Sequence, residues 1–222
     1  MPKLIDHEAR NRVIAQALWK LLNERGVSAV TVRNVAAEAG ISMGSLRHSF
    51  NNRVELLTFA FDLIGQETEA SMKAVSVEGQ DVLNTVKILE HFLPITPRSQ
   101  AISRITLSMV SELRPVPGIK DISTKGLERI RSYFYNMLVY LDSTGQIKTG
   151  THLKVQANKL TTLSYGLSTK AVIGGRGSEP VNISRIFRSC MNEILVTPVA
   201  YATQEDIDEF IRLSEGVGAF RS

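Results

Sequence analysis

The sequence has one cysteine, few aromatic residues and no long apolar run. Its 222 residues include a single cysteine, Cys190, which excludes an internal disulfide and a cysteine-based zinc site. Aromatic residues make up only 6% of the chain, so the core must depend on aliphatic side chains. No run approaches the roughly 18 apolar residues of a membrane span, and the N-terminal segment MPKLIDHEAR lacks the apolar region of a signal peptide. We therefore expect a cytoplasmic protein with no membrane partner.

Neither sign of charge dominates. The chain carries 26 Lys and Arg against 22 Asp and Glu, for a net charge of +4. Residues 1–64 hold eight of the basic residues and six of the acidic ones, so the surplus is denser at the front. This mild excess does not by itself establish nucleic-acid binding. Hydrophobic residues at 43% and charged residues at 22% are typical of a globular protein with a real core.

Motifs of the common catalytic and cofactor sites are also missing. There is no GxSxG nucleophile context and no phosphate-binding GxxxxGK[ST] loop. The four histidines, at positions 7, 48, 91 and 152, show no metal-binding spacing with acidic residues or Cys190. We therefore expect no catalytic residues, no metal and no cofactor, and an enzyme is the weakest of the functional hypotheses.

Apolar residues recur at helical spacing along the whole chain, which predicts an all-α fold. Proline and glycine clusters, including Pro180, separate the helical stretches. Apolar and polar residues alternate over 147–155, so this stretch could instead be extended. Helices are predicted over 6–25, 31–39, 42–49, 53 to beyond 70, 81–92, 98–114, 119–141, 154–173, 184–195 and 205–213. We divide the chain into a three-helix domain over 1–64 and a helical regulatory domain over 65–222.

The strongest motif lies between Val32 and Phe50. Ala36 is small enough for two helices to cross closely, and Gly40 tolerates the positive φ that a tight turn needs. Leu46 then places the second helix against the core. Small, glycine and branched apolar residues at these offsets predict a helix-turn-helix, whose second helix lies in the major groove of DNA.

The residues that we expect to touch DNA surround this motif. Short side chains near the second helix allow the backbone to approach the duplex, while basic and hydroxyl groups reach phosphate oxygens or base edges. Candidate DNA-binding residues are Thr31, Arg33, Ser42, Met43, Gly44, Ser45, Arg47, His48 and Arg53.

This segment resembles the TetR family of bacterial regulators, close to its betaine-regulator-like members, over residues 8–62. The resemblance implies an all-helical dimer with a small N-terminal DNA-binding domain and a larger domain that dimerises and often holds an effector. Two residues depart from the family: Met43 stands where lysine is common, and Arg47 where tyrosine is common, although Arg47 can replace the tyrosine as a phosphate contact. The matching residues are Gly26, Thr31, Val32, Val35, Ala36, Ala39, Gly40, Ser42, Gly44, Leu46, His48, Phe50, Arg53, Glu55 and Leu56.

The C-terminal region offers weaker signals. Two late helices, 154–173 and 184–195, carry small and apolar residues and are predicted to pair with their symmetry mates in a homodimer. The residues expected on that face are Leu160, Leu163, Gly166, Leu167, Ile186, Cys190 and Ile194. Soft and aromatic side chains there are candidates for a small-molecule site, although such residues are usually core. These candidates are Met109, Glu112, Tyr133, Met137 and Tyr165.

These features favour a repressor that binds a palindromic operator in double-stranded DNA as a dimer and is released by a small-molecule effector. The alternative is a DNA-binding architectural or protein-responsive factor without a small ligand. An enclosed apolar cavity of about 300 Å³ or more with a few polar groups would favour the first hypothesis.

Overall fold

The protein is helical throughout the part that the structure describes. This structure, a computed structural model, describes residues 7–75, 81–113 and 118–215, and omits the side chain of Glu112 among a few others in those ranges. The described residues hold ten α-helices and no named strand. In chain order they are α1 His7–Arg25, α2 Val32–Glu38, α3 Met43–Arg47, α4 Arg53–Val75, α5 Val82–Glu90, α6 Pro97–Leu113, α7 Ile119–Ser143, α8 Leu153–Ile173, α9 Pro180–Asn192 and α10 Gln204–Glu215.

The chain forms two compact units. Among the described residues, the first contains 7–67, 105–113 and 118–123, and the second contains 68–75, 81–104 and 124–215. The helices α4, α6 and α7 each continue across this division. In the described part of the chain the first unit therefore draws on an N-terminal stretch and on a second one around α6 and α7, whereas the sequence predicted a single division after residue 64.

Aliphatic residues at helical spacing build the core of the first unit. Ile14, Leu18 and Leu21 are almost completely buried on one face of α1, as the stripe on this helix predicts. Leu46 from α3 and Leu57 from α4 are fully buried in the same core. Residues from the second stretch also join it: Ile105, Met109 and Ile122. The three-helix domain is thus closed partly by residues far along the chain.

The second unit has its own core and one buried ion pair. The core is built mainly of aliphatic residues, with Phe134 and Phe187 fully buried at its centre. The Phe92 ring lies 5.5 Å from that of Phe134, so the few aromatic residues of this unit are partly grouped together. Glu90 on α5 and Arg188 on α9 pair within this interior, and their side chains are only 1% and 3% exposed. A buried charge must be paired in this way, because an isolated one would be strongly destabilising.

Three local features differ from the sequence prediction or refine it. A 3-10 turn over Val27–Ala29 joins α1 to α2, where no element was predicted. Helix α9 begins at Pro180 and not at 184. Proline is well tolerated at the first position of a helix, because the N–H group that it lacks would have no partner there. In the segment with alternating residues, Ile147 forms an isolated antiparallel bridge with Leu195. Among the described residues no helix is long and apolar enough to cross a membrane.

Candidate nucleic-acid interface

The turn between α2 and α3 has the geometry that the motif predicts. Gly40 adopts φ +65°, in the left-handed region that favours glycine. The Gly40 N–H donates to the Ala37 carbonyl at 3.3 Å, and the Ile41 N–H donates to the Ala36 carbonyl at 3.0 Å. This pair of hydrogen bonds is a Schellman motif, which satisfies the last carbonyls of α2 and ends the helix. Ile41 then packs against the core, so the direction of the chain into α3 is set locally.

Helix α3 is short and is anchored by one side chain. The Ser42 hydroxyl accepts a hydrogen bond from the Ser45 N–H at 3.0 Å, which caps the start of the helix. Leu46 is fully buried, while Met43 is 47% exposed. Ser45 is half-buried, and the other candidates on this helix are exposed: Ser42, Gly44, Arg47 and His48. The helix therefore presents hydroxyl, thioether and basic groups on one surface, around a single apolar anchor.

Thr31 and Arg33 lie at the start of α2. The Thr31 hydroxyl accepts from the Asn34 N–H at 3.1 Å and caps the helix, as expected. The Asn34 side-chain amide donates to the Ala29 carbonyl at 2.9 Å, which joins α2 to the preceding turn. Arg33 is exposed, so its guanidinium is available to an external anion such as a phosphate.

Arg53, at the start of α4, has an intramolecular partner that the motif did not predict. Its Nη2 donates to the Val27 carbonyl at 2.7 Å, and its Nε is buried without a hydrogen-bond partner. The side chain thus connects the first turn of α4 to the 3-10 turn before α2. Its contact with phosphate remains a prediction; the residue as a whole is half-buried.

Sequence reasoning missed Arg10. This α1 residue donates a hydrogen bond from Nη2 to the carbonyl oxygen of Ser45 in α3. The two residues are 35 positions apart, and no local pattern around either of them indicates the contact. The one signal in the sequence is the position of Arg10 on α1, beside the apolar face of that helix.

The five candidate effector residues do not form one group. Met109 is fully buried in the core of the first unit, whereas Tyr133, Met137 and Tyr165 belong to the second unit. The Tyr133 ring lies 5.4 Å from that of Phe92. Burial raises the pKa of the Tyr165 hydroxyl. The side chain of Glu112 lies outside the described residues. Within the described residues no group of three or more His, Cys, Asp or Glu residues could hold a metal ion.

Solved structures of low sequence identity share this fold. A transcriptional regulator from Saccharomonospora viridis, solved in complex with choline, superposes with a TM-score of 0.70 at 20% identity, over 86% of this chain and 99% of that one. SmeT, the repressor of a multidrug efflux pump of Stenotrophomonas maltophilia, has been solved in complex with triclosan. That complex superposes with a TM-score of 0.68 at 14% identity, over 88% of this chain and 98% of that one.

Sequence comparison identifies the family. The family model described as bacterial regulatory proteins, tetR family, matches residues 14–58, which contain α2, α3 and the turn between them. The HTH-type transcriptional regulator PksA of Bacillus subtilis (strain 168) is 33% identical over 199 residues, which are 87% of this chain and 92% of PksA. This likeness extends well beyond the DNA-binding segment and is to a regulator, not to an enzyme. The chain belongs to the TetR family of DNA-binding transcriptional regulators.

Proposed function

We propose that the protein is a repressor that binds a palindromic operator as a homodimer and is released when a small molecule binds its second unit. The observation that carries the proposal is the presentation of α3. Its one fully buried residue, Leu46, directs the polar and basic residues of this helix away from the core. A helix held this way can enter the major groove, which admits one α-helix.

Each exposed group on this surface suits a particular part of the duplex. Arg47 and His48 can donate to phosphate or to guanine, and the Met43 side chain can pack on a thymine methyl group. Ser45 is half-buried, so its hydroxyl reaches only bases that come close to the helix. Gly44 supports such an approach, because it adds no side chain between the backbone of α3 and the groove. Thr31 and Arg33 then position the domain through the sugar–phosphate backbone.

A dimer would supply the second half-site. One face of α8 is exposed along its whole length: Val155 is 62% and Ile173 is 79% exposed, and Gly166 lies between them. On α9, Ile186 is 37% exposed, and an ion pair of 2.5 Å between Lys159 and Glu193 joins the exposed faces of the two helices. An isologous pairing of this surface would bring two recognition helices into one molecule.

This surface differs in part from the one that the sequence indicated. Leu163 is half-buried, and only Gly166 and Ile186 of the seven predicted residues are exposed. The others face the core of their own unit: Leu160, Leu167, Cys190 and Ile194. We therefore propose that the dimer contact is made by the same two helices, α8 and α9, but through their exposed faces.

The effector part of the proposal is supported by relatives of the same fold that were solved with choline and with triclosan. In this chain the half-buried residues Tyr133, Met137 and Tyr165 are the candidates for contact with such a molecule. A thermal-shift screen of small molecules, followed by release of bound DNA, tests this step. An architectural factor would bind DNA equally well with every compound.

The DNA-binding proposal is tested by selecting duplexes from genomic DNA with the full-length protein. We expect a palindrome with half-site centres separated by about 10 base pairs or a multiple of that spacing. Arg47→Ala should weaken binding and reduce the slope of log affinity against log salt by about 0.9, the value for one lost phosphate contact. Arg212→Ala removes the same charge from an exposed position on α10 and should leave both quantities unchanged. If no sequence is enriched, or if Arg47→Ala behaves like Arg212→Ala, the assignment of α3 is wrong.

A further inference from the structure

The hydrogen bonds at the end of α3 leave the Ser45 carbonyl without its helical partner. In a continuous α-helix the Ser45 carbonyl accepts from the Ser49 N–H. Here the Ser49 N–H donates to the Leu46 carbonyl at 3.0 Å, and the Phe50 N–H donates to the same oxygen at 2.9 Å. The chain tightens at this point and turns away, so the Ser45 oxygen needs a donor from elsewhere.

Arg10 supplies that donor. Its Nη2 donates to the Ser45 carbonyl, and its Nε is buried without a hydrogen-bond partner. The guanidinium is therefore directed into the domain, in contrast to that of the exposed Arg12 two positions along the chain. A hydrogen bond from a charged donor is stronger than one between neutral groups, so this contact connects α1 firmly to the middle of α3.

The other contacts that orient α3 are mainly apolar. A helix of five residues has no stability of its own in water, and its position depends on what it packs against. Leu46 fixes one point of the helix in the core. Ile41 before the helix and Phe50 after it pack against the same core, and the contact at the neighbouring Ser45 adds a polar link between α3 and α1.

We propose that Arg10 is a positioning residue, which orients the recognition helix by binding the Ser45 carbonyl and does not itself contact DNA. This inference rests on the proposed function, because orientation matters only if α3 enters the groove. Loss of the contact leaves a backbone acceptor unpaired and lets the helix reorient around Leu46. Sequence-specific contacts then fail, while contacts with phosphates, which tolerate small shifts, are retained.

The test compares Arg10→Gln, Arg10→Lys and Arg12→Gln in the full-length protein. The control Arg12→Gln removes the same charge from an exposed position on the same helix. The probes are the duplex that the wild-type protein selects and a shuffled duplex of equal length, each titrated over a range of salt concentrations. Arg10→Gln should bind the selected duplex about tenfold more weakly, the cost of one unpaired acceptor. It should bind the shuffled duplex as the wild-type protein does, with an unchanged salt slope.

Two further measurements separate positioning from a general loss of stability. Without DNA, the amide protons of Ser49 and Phe50 should exchange faster in Arg10→Gln, while those in the middle of α1 should be unaffected. Arg10→Lys retains a charged donor on a longer side chain than glutamine and should recover most of the affinity for the selected duplex.

Three outcomes overturn the inference. Equal weakening of binding to both duplexes with a lower salt slope would make Arg10 a phosphate ligand. Binding of the selected duplex equal to that of Arg12→Gln would show that the contact has no role, and faster exchange throughout the first unit would make Arg10 a general stabilising residue. If the wild-type protein selects no sequence at all, the proposed function fails first and this inference fails with it.

Discussion

Arg188 binds both carboxylate oxygens of Glu90 inside the second unit. Its Nε lies 2.8 Å from Oε1 and its Nη2 lies 3.0 Å from Oε2. The Ser184 hydroxyl also donates to Oε1, and Nη1 of Arg188 donates to the Ala200 carbonyl at 3.0 Å. This cluster joins α5, α9 and the segment that precedes α10. Every member has a partner, which is the condition under which a buried ion pair is tolerated.

Removing one member of this pair should be strongly destabilising. Glu90→Gln leaves the Arg188 guanidinium buried without its counter-charge, which should lower the free energy of unfolding by about 3–5 kcal/mol. Glu128→Gln is the control, since it breaks an exposed ion pair with Arg131 and should cost less than about 1 kcal/mol. Urea unfolding measures both values. Equal midpoints for the two variants would contradict the interpretation.

Stability should also fall as the solution is acidified, because of His91. Burial lowers the pKa of this residue. Its Nδ1 lies 3.2 Å from the Lys87 and Ile88 carbonyl oxygens and donates to them, and its Nε2 is buried without a partner. A proton on Nε2 would therefore be a buried charge that no acceptor stabilises. The unfolded chain takes up this proton more readily, so the contribution to stability is complete above about pH 6.5 and is lost as the pH falls below it.

The measurement is the urea midpoint at about pH 7.5 and about pH 5.5, on either side of the ordinary histidine pKa. His91→Gln removes the titrating group and should reduce the difference between the two midpoints. His152→Gln, at an exposed position, should leave that difference unchanged. The explanation fails if His91→Gln shows the full pH dependence of the wild-type protein.

Gly40→Val should abolish specific DNA binding through the backbone. A Cβ at this position would meet nothing within 4 Å, so any effect comes from φ +65° and not from a clash. The strain of a β-branched residue in that region is about 1–3 kcal/mol. It should reorient or unfold the turn, while circular dichroism retains most helicity and sedimentation still shows a dimer.

Gly40→Asn is the matched variant, because asparagine tolerates the left-handed region. It should retain operator binding in the same assay. Normal binding by Gly40→Val would mean that the turn, and with it the recognition helix, is placed wrongly. Loss of the dimer would instead contradict the separation of the two units.

Gly166→Arg should separate the proposed dimer without unfolding the protomer. A Cβ at Gly166 meets nothing within 4 Å, so the substitution leaves the core of its own unit undisturbed. Between two closely packed helices, however, a long charged side chain would be buried or would hold the helices apart. Gly126→Arg makes the same change on α7, where a Cβ also has free space.

Sedimentation velocity at micromolar concentration should show a monomer for Gly166→Arg and a dimer for Gly126→Arg. The monomer should bind operator only weakly, because one recognition helix reads a single half-site. A dimer for both variants would move the interface away from α8.

The local features of the DNA-binding segment were predictable from the sequence. Thr31 and Ser42 cap their helices, Gly40 has positive φ, and Leu46 is buried, as their spacing indicated. The contacts of Arg10 and Arg53 were not predictable, because each binds a carbonyl in another element. The sequence also showed that α8 and α9 are rich in apolar residues. It did not show which face of each helix is buried in its own unit.

In the DNA-binding segment the sequence by itself determined where α2 and α3 begin and where the chain turns between them, because caps and glycine turns depend on hydrogen bonds between residues at most five positions apart. The tertiary structure alone decided which distant groups meet: Glu90 with Arg188, 98 positions away, and Arg10 with Ser45, 35 positions away. It also placed Met109, a candidate for the effector site, in the core of the first unit. Such contacts follow from how the helices pack, and a helical pattern specifies that a face is buried without specifying what covers it.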